Sequence, residues 1–229
     1  MKHSLSDGGS LLYLHGIEGS YIKETEVKVL GYENGGYILD RTILHYQGGG
    51  QPGDRGMLLS GNLKIPIYNV RKKGKNVLHL STVEAPIVSA KLVLDWERRY
   101  RIMKMHTLQH AISAVVFKTG FPSLVTEVFP GYGYIESDSS SIKVNGEGYT
   151  INKTARNVKR YEVKRDDLEP KLMARCNLDK LPKSVEEISV VEIEGLDSCA
   201  CAGTHVKNTS EIGDYWLRTP GKRIEFGLF

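Results

Sequence analysis

Two pairs of side chains in this sequence have the types and spacing of metal ligands. His106 and His110 are four residues apart, and Cys201 and His205 have the same interval, with only small residues between them. Side chains four apart on a helix lie on the same face, so one helix can supply two imidazoles to one ion. A thiolate beside imidazoles suits zinc. Each pair alone is a weak signal, but two together predict a single zinc site.

Other interpretations of these residues stay open. His106 and His110 alone fit one buried and one exposed histidine with no shared role. Cys199 is a competing ligand, although only Cys201 has the four-residue interval to His205. Residues 107–109 contain no glutamate, which excludes the His-Glu-x-x-His class of metalloprotease.

A glycine-rich segment, Arg41–Gly56, is the second candidate for chemistry. It contains three consecutive glycines followed by Gln51. A glycine run permits positive φ and a close approach of backbone amides to a ligand. No lysine follows as in a P-loop, so the segment is not specific for phosphate. Gln51 is our candidate for orienting water or a carbonyl group, and an ordinary loop is the alternative.

Composition and charge restrict the class of protein. The 229 residues are 40% hydrophobic and 25% charged, with a net charge of +4 and a pI near 8.8. No apolar run approaches the ~18 residues of a membrane helix. The start of the chain lacks a secretory signal, and three cysteines are too few for a disulfide framework. We therefore expect a cytoplasmic protein with reduced thiols and no membrane partner.

A basic stretch follows in the second half of the chain. Its charges could hold the backbone of a nucleic acid, or they could simply be solvated surface. The candidate contacts are Lys153, Arg156, Lys159, Arg160, Lys164 and Arg165.

The patterning predicts two domains with a boundary near residue 88. Residues 21–82 read as short strands around an Asn-Gly-Gly turn at 34–36 and a basic turn at 69–76, which suggests a small barrel or curled sheet. After residue 88, helical spacing of apolar residues predicts a helix over 101–118. The rest of the pattern predicts an α+β domain. Its predicted elements are strands near 124–136 and 141–144, a helix over 168–176, a strand in ISVVEIEG, and two closing strands, YWLRT and RIEFGLF.

Three separated signatures occur in order along the chain. They are Gly48-Gly49-Gly50-Gln51-Pro52 with Asp54 and Gly56; Asp95-Trp96-Glu97-Arg98-Arg99-Tyr100, Met105-His106-Thr107 and His110; and Cys201-Ala202-Gly203-Thr204-His205-Val206, Asn208-Thr209 and Glu211-Ile212-Gly213. Together they resemble the freestanding alanyl-tRNA editing proteins, the AlaX family, which are similar to the editing domain of alanyl-tRNA synthetase and, more distantly, of threonyl-tRNA synthetase. The resemblance covers the chain from about residue 21 to its end.

This resemblance implies an α+β fold in two parts. Residues 1–88 would be an N-terminal β-barrel with the Gly-Gly-Gln loop. Residues 89–229 would be a zinc-binding editing domain of the threonyl/alanyl-tRNA synthetase second-additional-domain type. The family also implies one zinc ion per chain and the medium-length form. Ala202 departs from the glycine that is usual there, without removing a ligand.

The implied reaction is hydrolysis of a wrong amino acid from tRNA(Ala), with serine first and glycine second. A pocket built for alanine rejects either by only about 1–3 kcal/mol, so a second, hydrolytic site is needed. Thr126 is our candidate for a polar group that binds the serine hydroxyl, and a surface threonine is the alternative.

The role of zinc is open at this point. It either activates water, which needs an open coordination position, or positions the substrate while Gln51 orients water. A purely structural zinc is a third alternative. Two rival functions are a zinc-stabilised RNA-binding module without chemistry and a zinc hydrolase of small esters or amides.

Overall fold

The computed structural model describes residues 4–5, 9–118, 120, 123–137, 154–168 and 185–229. Within them the fold is α+β, with one α-helix, α1 (Trp96–Lys118), among seventeen short strands. The chain forms two compact units, Met1–Arg101 and Ile102–Phe229. Along the described part of the chain, no helical segment combines the length and the apolar character needed to cross a membrane.

The first unit is built from ten strands. They are β1 (Ser4–Leu5), β2 (Gly9–Leu11), β3 (Glu24–Glu33), β4 (Gly36–Leu39), β5 (Arg41–Thr42), β6 (Gly56–Ser60), β7 (Leu63–Ile67), β8 (Asn69–Lys73), β9 (Asn76–Leu80) and β10 (Ser89–Leu94). Seven form a sheet in the order β7-β6-β10-β3-β4-β9-β8, and a small sheet has the order β1-β2-β5. Alternating apolar residues give the large sheet one buried face, on which Leu58, Val70 and Leu92 are inaccessible to solvent.

Turn residues fix the hairpins of this sheet. Asn34 and Gly35 have φ values of 50° and 76° between β3 and β4, the positive values that a type I′ hairpin requires. The predicted Asn-Gly hairpin is therefore confirmed. The second predicted turn is shorter than expected: only Gly74 and Lys75 separate β8 from β9, so Arg71–Lys73 belong to a strand.

The outermost strands of the large sheet are β7 and β8. No hydrogen-bonded pairing joins these two strands within the residues described above. Only Tyr68 separates them in the chain, and its amide donates to the carbonyl of Leu80 at 3.0 Å.

The division of the chain falls later than the sequence suggested. The expected boundary near residue 88 precedes β10, whereas the structure places β10 inside the first unit, because this strand pairs with both β3 and β6. The compact units divide after Arg101.

The second unit contains two antiparallel sheets. Its strands are β11 (Ser123–Phe129), β12 (Tyr132–Ser137), β13 (Val158–Lys164), β14 (Glu187–Ile193), β15 (Asp197–Ala200), β16 (Tyr215–Arg218) and β17 (Arg223–Leu228). One sheet has the order β11-β12-β17-β16, and the other β13-β14-β15. The predicted strands that correspond to β14, β16 and β17 are confirmed. The predicted strand at 141–144 and residues 169–176 of the predicted helix lie outside the described residues.

Helix α1 starts five residues before the predicted position. Asp95 is its N-cap, because the side-chain Oδ1 accepts a hydrogen bond from the amide of Arg98 at 3.3 Å. From residue 102 to residue 114 every side chain except Lys104 is buried. A helix that is buried on all sides is core, so the two histidines on it are held in fixed positions.

Candidate metal centre

Four side chains of the second unit come together as one group. The ligand atoms of His106, His110, Cys201 and His205 all lie within 4.8 Å of one another. Cys201 Sγ is 3.3 Å from His205 Nε2 and 3.7 Å from His106 Nε2. Tetrahedral zinc with ordinary bond lengths separates its ligand atoms by about 3.3–3.8 Å. The two distances from Cys201 lie in this range, and the four side chains together could hold one metal ion.

Two elements deliver these ligands. Helix α1 presents His106 and His110 one turn apart, with ring centroids separated by 5.2 Å. The loop after β15 brings Cys201 and His205 to them, so that His205 stacks on His106 at 4.3 Å. The amide of Gly203 donates to Cys201 Sγ at 3.3 Å, which folds the loop around the sulfur.

Cys199 is not part of this group among the described residues. It lies within β15 opposite Val191, and its thiol contacts the carbonyl of Ala200 at 3.7 Å. Of the two candidate thiols, the structure therefore brings only Cys201 to the histidines.

Two members of the group, Cys201 and His205, are held in the forms that bind a metal ion. Burial raises the pKa of the Cys201 thiol, but the three nearby imidazoles outweigh burial and hold its pKa well below the ordinary value. Burial, followed by the neighbouring His106, holds the pKa of His205 well below its ordinary value. A thiolate and a neutral imidazole are the forms that bind a metal ion.

Asp197 orients one of the ligands, and the sequence reading missed it. Its Oδ2 lies 3.1 Å from His110 Nδ1, and both side chains are buried. Burial lowers the pKa of His110, but the Cys201 thiolate and Asp197 outweigh burial and raise it to about 9. A carboxylate on the outer ring nitrogen directs the other nitrogen towards the centre of the group.

Thr107 holds His205 in the same way. Its Oγ1 is 3.1 Å from His205 Nδ1 and also accepts a hydrogen bond from the amide of Val206 at 3.2 Å. The helix therefore fixes both the ring and the backbone of the loop ligand. His205 Nε2 is left facing Cys201.

Arg160 supports the loop from behind, although the sequence suggested it as a contact for nucleic acid. The side chain is only 8% exposed. Its guanidinium donates to the carbonyl oxygens of Cys201 and Gly203 and, at 2.8 Å, to Ser189 Oγ. We therefore expect Arg160 to position the loop rather than to contact RNA.

The other basic candidates differ in their exposure and in their hydrogen bonds. Lys159 and Lys164 are exposed on β13. Arg156 donates to the carbonyl of Glu194 at 2.8 Å, and Arg165 donates to that of Val185 at 2.9 Å. Lys153 lies outside the described residues.

Gln51 belongs to the first unit, where two glycines shape its turn. Gly48 and Gln51 exchange backbone hydrogen bonds of 3.0 Å across Gly49 and Gly50. Those two glycines have φ values of 59° and 82°, which residues other than glycine rarely adopt. The triple glycine is therefore a tight type I′-like turn that fixes Gln51, whose side chain is only 2% exposed.

A buried ion pair secures the end of the glycine-rich segment. Arg99, at the start of α1, donates to Asp54 Oδ2 through Nε at 3.0 Å and through Nη2. The same guanidinium reaches the carbonyls of Ser20 and Ile43, and Asp54 accepts from the amide of His45 at 2.6 Å. The sequence signatures that contain Asp54 and Arg99 are therefore joined by this ion pair, which has a structural role.

Thr126 lies on β11 directly opposite Ile135 of β12. Ile135 and Val128, two residues along from Thr126, are both buried. Residues opposite each other, and residues two apart on a strand, share one face of a sheet. Thr126 is therefore half-buried on the inner face of this sheet rather than on its outer surface.

The amino-acid sequence of this chain is similar to those of known proteins. Residues 188–217 match the family of the threonyl and alanyl tRNA synthetase second additional domain. The chain is 33% identical over 216 residues to alanyl-tRNA editing protein AlaX-L of Pyrococcus horikoshii, covering 84% of this chain and 50% of that protein. It is 32% identical to alanyl-tRNA editing protein AlaX-M of Saccharolobus solfataricus, covering 88% of this chain and 89% of that protein.

A longer class of relative matches as well. Alanine–tRNA ligase of Ignicoccus hospitalis is 30% identical over 228 residues, which cover 91% of this chain and 25% of the ligase. The chain thus spans half the length of the Pyrococcus protein and a quarter of the ligase, but most of the Saccharolobus protein.

Proposed function

Because the chain belongs to the family of alanyl-tRNA editing proteins, we propose that it is an aminoacyl-tRNA deacylase. Its substrate is tRNA(Ala) that carries a wrong amino acid, with serine first and glycine second. The observation that carries this proposal is the convergence of His106, His110, Cys201 and His205 on one point.

The ion that we propose for this group is one zinc per chain. Three imidazoles and one thiolate suit zinc better than the hard cations, which prefer oxygen ligands. When bound there, zinc would supply a Lewis acid or a fixed positive charge beside the ester. Asp197 and Thr107 hold the outer nitrogens of His110 and His205, so the ligands are already oriented.

The reaction is hydrolysis of the ester between the amino acid and the terminal ribose. The oxygen of water adds to the carbonyl carbon, and the bond from that carbon to the ribose oxygen breaks. The ribose oxygen takes up one proton of the water, and the other is released to solvent because the amino acid leaves as a carboxylate. We assign Gln51 the role of orienting the water or the carbonyl, because an amide side chain both donates and accepts hydrogen bonds. The rigid Gly48–Gln51 turn supports this role.

Thr126 is our candidate for selecting serine over alanine. A hydroxyl that pairs with the serine hydroxyl is left without that partner when alanine is bound, which penalises alanine. The half-buried place of Thr126 on the inner face of its sheet supports this role.

The tRNA backbone is our proposed partner for the basic stretch around β13. Lys159 and Lys164 are its exposed members.

A barrel form of the first unit is also part of the proposal. Only one residue, Tyr68, separates the outermost strands β7 and β8 in the chain, and this short connection supports a closed sheet.

A deacylation assay with seryl-, glycyl- and alanyl-tRNA(Ala) tests the function. We expect release of serine and slower release of glycine, with alanine spared. Binding of tRNA without release of any amino acid would favour an RNA-binding module instead. Turnover of a small ester without tRNA would favour a general hydrolase.

A further inference from the structure

One strongly basic segment of this protein lies in the first unit. Residues 55–83 contain six lysine and arginine residues and no aspartate or glutamate. These 29 residues therefore have a net charge of +6. Because the net charge of the whole chain is +4, the other 200 residues have a net charge of −2. The mild overall charge therefore hides a strongly positive segment, which comprises β6 to β9.

Four of the six charges lie on the hairpin of β8 and β9. They are Arg71, Lys72, Lys73 and Lys75, and all are exposed. The strand β9 anchors the hairpin, since Val77–Leu80 are buried and the strand pairs with β4. The strand β8 is at the edge of the sheet, and Gly74, with φ of 59°, closes the turn. The hairpin is thus a fixed support with a basic outer edge.

The glycine-rich segment is built directly on this hairpin. The amide of Gln47 donates to the carbonyl of Val70 at 2.9 Å. A side chain at Gly53 would overlap Asn69 and Val70, so the segment packs against β8 without space for a methyl group. Lys72 Nζ lies 5.7 Å from the ring centroid of Tyr46. The basic edge and the Gly48–Gln51 turn therefore lie side by side in one compact unit.

We propose that the β8–β9 hairpin is the principal phosphate-binding surface of this protein and holds RNA beside the Gly48–Gln51 turn. A run of basic side chains without a carboxylate is complementary to a polyanion. Residues 71–76 include no large apolar side chain of the kind that inserts into a membrane. The identity of the polyanion as tRNA rests on the proposed function.

Salt-dependent binding of uncharged tRNA tests this inference. The test variant is Lys72→Ala, Lys73→Ala and Lys75→Ala combined. The matched control is Lys28→Ala, Lys118→Ala and Lys222→Ala, which removes the same charge from three exposed positions elsewhere. Each lost phosphate contact lowers the slope of log K against log salt by about 0.7–0.9. We expect the hairpin variant to lose about two units of slope and at least tenfold in affinity, and the control to lose less than one unit.

A second variant, Lys159→Ala with Lys164→Ala, compares the hairpin with β13. The inference is overturned if this pair accounts for the salt dependence, or if the hairpin variant behaves as the control does. A slope that is unchanged in all three variants also overturns it.

The result is separable from the outcome for deacylation. A protein that binds tRNA through the hairpin but releases no amino acid would sink the proposed function and leave this inference standing. A deacylase whose tRNA binding ignores the hairpin would do the reverse.

Discussion

Orientation of the proposed metal ligands depends on side chains outside the group of four. Asp197 holds His110 at 3.1 Å, and outer contacts of this kind typically contribute 10- to 100-fold to metal affinity. We predict that Asp197→Asn weakens zinc binding by a factor in that range, measured by competition with a chelating dye. Asp214→Asn, at an exposed position, is the control. Equal affinity in both variants would show that Asp197 does not orient the ligand.

Arg160 and Lys159 are neighbours with opposite predictions. Arg160 is buried against the carbonyls of Cys201 and Gly203, so Arg160→Ala leaves two carbonyl oxygens without their charged donor. We expect its free energy of unfolding to fall by about 3 kcal/mol. Lys159→Ala, at an exposed position, should change it by less than about 0.5 kcal/mol. Chemical denaturation of both variants decides the point, and similar values would contradict the assigned role.

The two substrate-handling candidates should affect the reaction differently. Gln51→Ala is expected to slow release of serine and glycine alike, because orienting water serves every ester. Thr126→Val is expected to reduce the preference for seryl- over alanyl-tRNA, since the hydroxyl partner is lost. Single-turnover rates on both esters measure this. Unchanged rates for both esters in Thr126→Val would exclude Thr126 as the group that selects serine.

At this scale the spacing of residues predicted the four side chains that the structure brings together, but not the residues that support them. His106 and His110 are adjacent on one helix, and Cys201 and His205 on one loop, so local patterns suffice to find them. The partner of Asp197 is 87 residues away and that of Thr107 is 98 residues away. Such pairs depend on tertiary packing, which no local pattern encodes. The burial of Arg160 was missed for the same reason, because charge alone does not indicate burial.

At the scale of elements, turn chemistry and apolar alternation predicted most of the strands. The helix start was missed because Asp95, a recognisable N-cap, was read only as part of a motif. Strand β15 was missed because Asp197–Ala200 is short and lacks a strong apolar pattern. Strand β13 was read as a basic stretch, since its charged residues conceal the alternation in VKRYEVK.

Strand β9 carries a buried histidine that makes the first unit sensitive to acid. His79 contacts Thr42 Oγ1 at 2.7 Å and the carbonyl of Tyr37 at 3.1 Å. Burial lowers its pKa from 6.5 to about 4. Between these values the unfolded chain binds the proton and the folded chain does not, so stability falls as the pH falls from 6.5 towards 4.

We predict that His79 alone removes about 3 kcal/mol of stability between pH 7 and pH 4. Denaturant unfolding across this range should therefore show a steeper loss in the wild type than in His79→Gln. Parallel pH profiles for the two proteins would mean that His79 is not held neutral.

At the scale of the whole molecule, the two units carry different features. The first has the rigid glycine turn, the Arg99–Asp54 ion pair and the basic hairpin; the second has the metal group and the sheet with Thr126. The sequence already indicated the basic turn at 69–76, but the net charge alone did not indicate the positive segment 55–83, and composition did not predict the division after Arg101. The charge follows from where the chain places its few carboxylates, and the division from the pairing of β10 within the first sheet.

The most direct test of the account is release of serine from seryl-tRNA(Ala) by protein with and without its metal. We predict release by the zinc-loaded protein, loss of at least 100-fold after chelation, and recovery when zinc is restored. His110→Ala should stay folded by circular dichroism and lack activity even with added zinc. Full activity in metal-free protein, at a zinc content verified by elemental analysis, would contradict the central claim.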